Sequence, residues 1–332
     1  MKTWKIFFPL IVTFGIPAFL YPVAPEKSTY ILKEDLRIGV EYGDDNLMFA
    51  GISEAELDSE GNIYILDLKN FRIQVFDKDG DFLNSIPLSM GKGPAEVGSF
   101  TRMAVLPDGT ICLLDFYERK VLLLTKSGEY IRSFKLDFQA QDIVSKTDSL
   151  VVLGFNDDHI LHEVDLEGRL LASFGEPFPI PSNLSSYKEM VQIRMPMRLD
   201  STASGEIFLL NPFAYEIQVF KDRVQTHSLK GENPFFKPLR IGKANVGQFS
   251  VIFPKAHVLK SGSLLLSTII EIKGLQETIG HLDIFQEDTL RGTLTLKGAP
   301  LAVDSQGRIY VSEQEEVPQL VRYSIVSSRS LP

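Results

Sequence analysis

Cysteine and tryptophan are almost missing from this chain: Cys112 and Trp4 are the single examples of each. With one thiol, neither an intrachain disulfide nor a cysteine-based zinc site can form. Cys112 lies in an apolar stretch, TICLLD, and reads as a buried, inert thiol. Cationic runs are missing too. The chain carries 43 acidic against 34 basic side chains, a net charge of -9, which repels nucleic acid unless a basic patch gathers on one face. No Lys/Arg run supplies one, so no nucleic-acid partner is expected. There is no GxSxG, and the GxG at Gly91 to Gly93 is followed by proline rather than a helix, which excludes a nucleophile elbow and a phosphate loop. Helical periodicity is absent outside a short stretch near Asn183 to Met190, against any α/β arrangement.

Residues 1–25 read as an export signal or an N-terminal membrane anchor. Lys2 and Lys5 give a positive start, and the apolar run Ile6 to Val23 follows. Pro9, Pro17 and Pro22 make it a poor permanent transmembrane helix. The best small residue, Ala24, precedes Pro25, which hinders cleavage there, and with no cysteine after the run a bacterial lipoprotein anchor is excluded. The expected location is secreted or periplasmic. The alternatives are an uncleaved tether holding the rest of the chain outside the cytoplasm, or a buried first element of the fold. Asn183-Leu184-Ser185 matches a glycosylation acceptor, which matters only in a eukaryotic secretory pathway.

What the chain has in quantity is a repeat. A turn followed by an apolar strand recurs six times, as DSEGNIYILD, LPDGTICLLD, KTDSLVVLG, ASGEIFLLN, KSGSLLLST and DSQGRIYVSE. Turn glycines Gly61 and Gly109 are 48 residues apart, Gly109 and Gly205 are 96 apart, and Gly262 and Gly307 are 45 apart. In the first three copies a second alternating pair of strands follows around a tight turn: RIQVFDKDGDFLNSI, KVLLLTKSGEYIRSF and HEVDLEGRLLASF. Asp-Gly and Ser-Gly supply the positive φ that short hairpin turns need. Each copy is therefore a run of four antiparallel strands.

Six such copies predict an all-β, six-bladed β-propeller of four-stranded antiparallel blades, with residues 26–332 forming one domain. The expected blades are approximately 48–88, 100–136, 139–174, 195–230, 249–296 and 299–326. The last copy supplies three strands, Pro300 to Val303, Arg308 to Ser312 and Gln319 to Ile325, while Tyr30 to Val40 precedes the first blade without a partner. That segment (30–40) is expected to close the ring as the outer strand of the last blade.

The strings GNIYILDLKNFRIQVFDKDGDFL and GKGPAEVGSF resemble bacterial six-bladed propellers related to the NHL-repeat family. The resemblance covers about Tyr30 to Val326 and is most specific in blades 1 and 2; blades 3 to 5 depart from it with degraded turns and insertions. No tryptophan beyond Trp4 means no Trp-Asp signature of WD40 propellers. Members of such families differ widely in function, so the resemblance implies the fold rather than an activity.

Function then has to be sought on the inner strands and the loops. On the inner strands, Ala55, Leu57, Met103, Val105, Met197, Leu199, Leu301 and Val303 form an apolar side that packs between blades. The alternate positions collect polar groups: Glu54, Glu56, Arg102, Gln141, Arg198, Lys255 and His257. One reading is a cation-rich funnel of Arg102, Arg198, Lys255 and His257 with glutamate counter-charges; the other is internal ion pairs filling a wet channel. Long inter-blade loops, Ser89 to Ser99, Gly175 to Arg194 and Gly231 to Gln248, gather on one face, either as binding loops or as tolerated insertions. Two of them share GK followed by VGSF or VGQF, bringing Lys92 and Lys243 to opposite sides of the ring as a clamp for an anionic group, or else Phe100 and Phe249 as core plugs.

The ligand-binding candidates are Glu54, Lys92, Arg102, Gln141, Arg198, Lys243, Lys255 and His257. The expected function is an extracytoplasmic ligand-binding or protein-interaction module, its partner a small anionic ligand, protein or peptide, with membrane contact only through residues 1–25. No catalytic residue, metal or cofactor is expected. A hydrolase, lactonase or lyase acting in the central funnel is the alternative, opposed by the scarcity of converging carboxylates and histidines.

Overall fold

The computed structural model describes residues 30–98, 101–156, 158–187, 197–202, 204–211, 213–231, 236, 251–259, 262–273, 277–286, 289–314 and 316–327, with residues 251–279 described by their backbone. The chain enters through β1 (Tyr30–Ile38) and then builds blade 1 from β2 (Ile52–Leu57), β3 (Ile63–Asp67), β4 (Arg72–Phe76) and β5 (Phe82–Pro87). A short parallel bridge, β6 (Ser89–Met90) with β7 (Glu96–Val97), leads to blade 2: β8 (Thr101–Val105), β9 (Ile111–Asp115), β10 (Lys120–Leu124) and β11 (Tyr130–Lys135). Blade 3 is β12 (Gln139–Ser145), β13 (Ser149–Asn156), β14 (His159–Asp165) and β15 (Leu170–Phe174). A 3-10 helix, Ser182–Tyr187, follows it within the expected helical stretch, of which residues 188–190 lie outside the described residues. Blade 4 is β16 (Leu199–Ser201), β17 (Ile207–Leu210), β18 (Glu216–Lys221) and β19 (Val224–Lys230), and blade 5 is β20 (Val251–Leu259), β21 (Gly262–Lys273), β22 (Glu277–Gln286) and β23 (Thr289–Lys297).

Blade 6 takes three strands from the end of the chain, β24 (Ala299–Val303), β25 (Ile309–Gln314) and β26 (Pro318–Ser327), and its fourth from the beginning. β1 pairs antiparallel with β26 from Tyr30↔Ser327 to Ile38↔Leu320. The innermost strands touch in the succession β2, β8, β12, β16, β20, β24 and back to β2, so the ring is closed. The protein is a six-bladed β-propeller closed by its N-terminal strand.

Stability resides between the blades. Apolar clusters join blade 1 to 2 (Leu66, Ile73 with Leu113, Leu122), blade 2 to 3 (Leu114, Val121 with Leu150, Val152) and blade 3 to 4 (Leu153, Leu161 with Leu209, Phe220). Another unites blade 6 with blade 1 through Ile38, Tyr310, Ile63 and Phe76. The two middle strands of a blade are covered on both faces by neighbouring blades, so ICLLD and KVLLL are buried throughout. That is why they read as continuous apolar runs, whereas the outer strands alternate.

Tight turns set the blade spacing. Asp77 accepts the amides of Asp79 and Asp81, and Gly80 completes the turn at φ 92°. At the same turn of blades 2 and 3, a Cβ on Gly128 would lie 2.4 Å from Ile86, and one on Gly168 2.5 Å from Phe134. Each of these glycines is pressed against the outer strand of the preceding blade, so it serves both the turn and the blade contact.

Candidate functional site

Four charged side chains from successive blades meet on the inner strands. Glu54 Oε1 accepts hydrogen bonds from Arg102 Nη1 at 2.7 Å and Arg198 Nη1 at 3.0 Å. Arg198 Nη1 also lies 3.8 Å from Asp142 Oδ1, and the other oxygen of Asp142 accepts the Leu199 amide at 2.9 Å. Glu54 and Asp142 are buried, and the two arginine side chains are nearly so. Burial pushes the Asp142 carboxyl up and the Arg102 guanidinium down, the latter with Arg198 adding its repulsion. Burial also opposes charge on Arg198, but Glu54 and Asp142 outweigh it and hold that guanidinium above its ordinary value. Two carboxylates and two guanidinia thus neutralise one another. The recess beside Glu54, Glu56, Asp142, Arg198 and Pro300 has a volume of about 20 Å³, room for a single water.

The structure therefore brings Glu54, Arg102 and Arg198 together and places Gln141, buried, beside Asp142. Lys255 and His257 lie on β20, the inner strand of blade 5, opposite Leu266 and Leu264 of β21. Lys92 is drawn elsewhere: its ammonium pairs with Glu118 at 3.1 Å while its side chain is 84% exposed. Lys243, with Phe100 and Phe249, lies outside the described residues.

A second constellation sits on the face where the loops between the second and third strands, and those between blades, emerge. Asp67, ending β3, accepts the amides of Ala50 and Gly51 and the side chains of Asn70 and Arg72. Arg72 in turn donates to the carbonyls of Asp45 and Met48. Blade 2 repeats the device: Asp115 accepts the amides of Gly98, Tyr117 and Glu118, and buried Lys120 donates to the carbonyls of Gly93 and Glu96 at 2.6 and 2.7 Å. Glu96 itself accepts the Gly93 amide at 2.8 Å, so the GKGPAEV loop is held from both ends. On these pinned loops Tyr42, Tyr117 and Met90 are exposed by 82%, 67% and 64%.

Among the described residues no three of His, Cys, Asp and Glu converge to hold a metal ion. His162 is fully buried, with Nε2 3.1 Å from the Gly154 carbonyl and Nδ1 2.9 Å from Ser173 Oγ. A carbonyl only accepts, so the proton is assigned to Nε2 and the serine hydroxyl donates to Nδ1. Burial pushes the Cys112 thiol far above its ordinary value, leaving it inert. No helix among the described residues is long and apolar enough to cross a membrane.

A family model of 6-bladed beta-propellers, DUF5128, matches residues 42–229, more than half of the chain. The chain belongs to this family. No curated protein matches the sequence significantly. Solved structures of similar shape include a protein described as exported from Bacteroides fragilis, with TM-score 0.59, 14% identity, and 92% of this chain and 97% of that one covered. A DUF4221 family member from Bacteroides vulgatus gives TM-score 0.63 at 12% identity, covering 91% of this chain and 100% of that one. A streptogramin B lyase gives TM-score 0.50 at 10% identity, covering 90% and 98%. Identities this low establish the shared fold alone.

Within this DUF5128 propeller, sequence reasoning missed Asp142 for an identifiable reason. Counting back from the turn puts Gln141 and Ile143 toward the channel, but the turn of blade 3, Lys146 to Ser149, is one residue shorter than Asp58 to Asn62, Leu106 to Thr110 and Thr202 to Glu206. Asp142, not Gln141, therefore stands at the position of Glu54, Arg102 and Arg198, after a register break between Ala140 and Asp142. Similar breaks occur between Ile52 and Glu54 and between Pro300 and Ala302. Arg72 and Lys120 were also missed, although each stands five residues after the strand-ending aspartate, a spacing visible in ILDLKNFR and LLDFYERK.

Proposed function

We propose that this propeller is an extracytoplasmic binding and interaction module that engages a protein or peptide through its loop face. The observation that carries the reading is the exposure of Tyr42, Met90 and Tyr117 on loops fixed to the ring by Asp67, Arg72, Asp115 and Lys120. Aromatic and methionine side chains are favoured at interfaces, and a loop backbone already pinned loses little freedom when a partner covers it. Lys92 and Glu118 add a charged rim beside them. On the described channel wall the arginines are already neutralised by Glu54 and Asp142. Residues 1–25 supply the export signal or anchor that puts the ring outside the cytoplasm, secreted, periplasmic or tethered.

The test is site-specific photocrosslinking in the producing cell, with the crosslinker placed at Tyr42, Met90 or Tyr117 and, as a control, at channel-lining Arg102. A discrete adduct from the loop positions, which at Met90 vanishes in a Tyr42→Ser, Tyr117→Ser variant, supports the proposal. A small ligand whose binding survives that variant but is lost in Arg102→Ala would overturn it in favour of a channel site, and turnover of such a ligand would restore the enzyme alternative.

A further inference from the structure

Among the described residues ten large apolar side chains are exposed, and seven of them lie at one place on successive blades. They are Phe82 and Leu83 on β5, Tyr130 and Ile131 on β11, Leu170 and Leu171 on β15, and Val224 on β19. The register is shared. Phe82, Tyr130 and Leu170 sit opposite Phe76, Leu124 and Val164, the last residues of their blades' third strands or next to them, and Val224 opens the equivalent strand of blade 4. All seven therefore line the rim opposite the loop face, over four adjacent blades. Scattered single apolar residues need no explanation, but a row in register does.

The same rim receives the N-terminus. β1 runs antiparallel to β26 as β5 does to β4, so Tyr30 enters blade 6 at the end where the Asp77 to Asp81 turn closes blade 1. Only the six residues from Ala24 to Thr29 separate β1 from the apolar run ending at Val23, a reach of at most about 20 Å. Several charged groups nearby pair with one another, Lys78 with Asp79, Arg132 with Glu167, Arg169 with Asp165 and Arg223 with Glu163, while Asp81, Lys126, Glu129 and Asp222 stand exposed on the same turns.

We propose that this rim rests on the lipid surface in which residues 6–23 are embedded, its apolar pairs entering the headgroup boundary and the loop face turned outward. The inference rests on the reading of residues 1–25 as an uncleaved anchor. A short tether forces the rim against the bilayer, and Phe, Tyr and Leu are the side chains that partition into that boundary. Because the exposed charges on these turns are of both signs and the net charge is -9, the contact is carried by the apolar pairs and does not depend on anionic lipid.

Trp4 being the sole tryptophan makes the test direct. In a Trp4→Phe background of the full chain, single reporters are introduced as Phe82→Trp, Tyr130→Trp, Leu170→Trp and, on the loop face, Tyr117→Trp, each reconstituted into phosphatidylcholine vesicles with brominated acyl chains. The rim reporters are expected to be quenched roughly twofold or more beyond the Tyr117→Trp reporter, unchanged in high salt. Co-flotation with vesicles but equal quenching at all four sites would overturn the rim contact while leaving the anchor standing. Failure to co-float would overturn the anchor reading and the rim contact with it. Rim reporters buried instead in a crosslinkable dimer would assign the surface to a second copy.

Discussion

Asp115 and Lys120 stand opposite each other across β9 and β10 and grip the same incoming loop, the carboxylate taking the Gly98 amide and the ammonium the Gly93 and Glu96 carbonyls. Asp67 and Arg72 do the same one blade earlier. The repetition marks a structural role: strand-ending carboxylates that satisfy loop amides which would otherwise be buried unpaired. Asp67→Ala is expected to cost about 1–3 kcal/mol in urea unfolding. Loss of partner binding at full stability would contradict it.

Lys120→Met keeps the aliphatic stem and removes only the ammonium. The expected outcome is faster hydrogen exchange at the amides of Gly91, Gly93 and Glu96, which lie in the loop it holds, with little change in the protected strands β9 and β10. Unchanged loop exchange would show that Glu96 and the β6–β7 bridge suffice.

The legibility of each feature in the sequence depends on how local its cause is. Blade number rests on local turn chemistry and apolar runs written within about ten residues, so DSEGNIYILD and its copies announce it, and ring closure follows from the count, with three strands in the last copy and one unpartnered strand at the start. The channel set was legible at Glu54, Arg102 and Arg198 because each stands at the same distance before a turn of the same length, Asp58 to Asn62, Leu106 to Thr110 and Thr202 to Glu206. It failed at Asp142 because the turn of blade 3, Lys146 to Ser149, is one residue shorter, so the same count lands on Gln141. Lys92 carried a motif, but its ion pair depends on where Glu118 emerges from a loop of the next blade, which no spacing reveals. The apolar rim was hidden for a different reason: FL, YI and LL look like ordinary strand residues, and only their position on the outer strand exposes them.

Glu54 is the common acceptor of two guanidinia, so removing it leaves like charges close together in a poorly hydrated site. Glu54→Ala is expected to cost about 3–5 kcal/mol, more than a surface pair is worth. Adding Arg198→Leu should recover part of the loss by removing one unmatched charge. A cost below that of an exposed ion pair would mean that water fills the site freely.

Acid sensitivity has a named contributor in Glu163. Burial raises its carboxyl, but hydrogen bonds from Arg223, Lys146 and Ser149 outweigh this and hold it below its ordinary value of 4.5. A depressed carboxyl contributes stability that is fully present above the unfolded value and is lost as pH falls through the folded one. Glu163→Gln should therefore lower stability at neutral pH and flatten the fall in stability below pH 4.5. An equally steep acid limb in the variant would assign the protons taken up to other carboxylates.

Closure of the ring by β1 yields the broadest prediction, because that strand serves two blades. It completes blade 6 by pairing with β26, and it packs against blade 1 through Leu36 beside Gly80 and Ile38 in the cluster with Ile63 and Phe76. Polar contacts reinforce it: Arg37 reaches Glu313 and Gln319, and Arg322 donates to Asp35 and to the Lys78 carbonyl of blade 1. Deleting Tyr30 to Ile38 uncovers the β26 edge and opens the blade 6 to blade 1 interface at once. In a linear repeat array such a loss would fray one end. In a closed ring it removes support from both neighbours, so the truncated protein is expected to unfold in a single transition at a clearly lower temperature, with faster exchange in β2 and β3 as well as β25. An unchanged midpoint, or exchange confined to β26, would show that the blades stand independently of the closing strand.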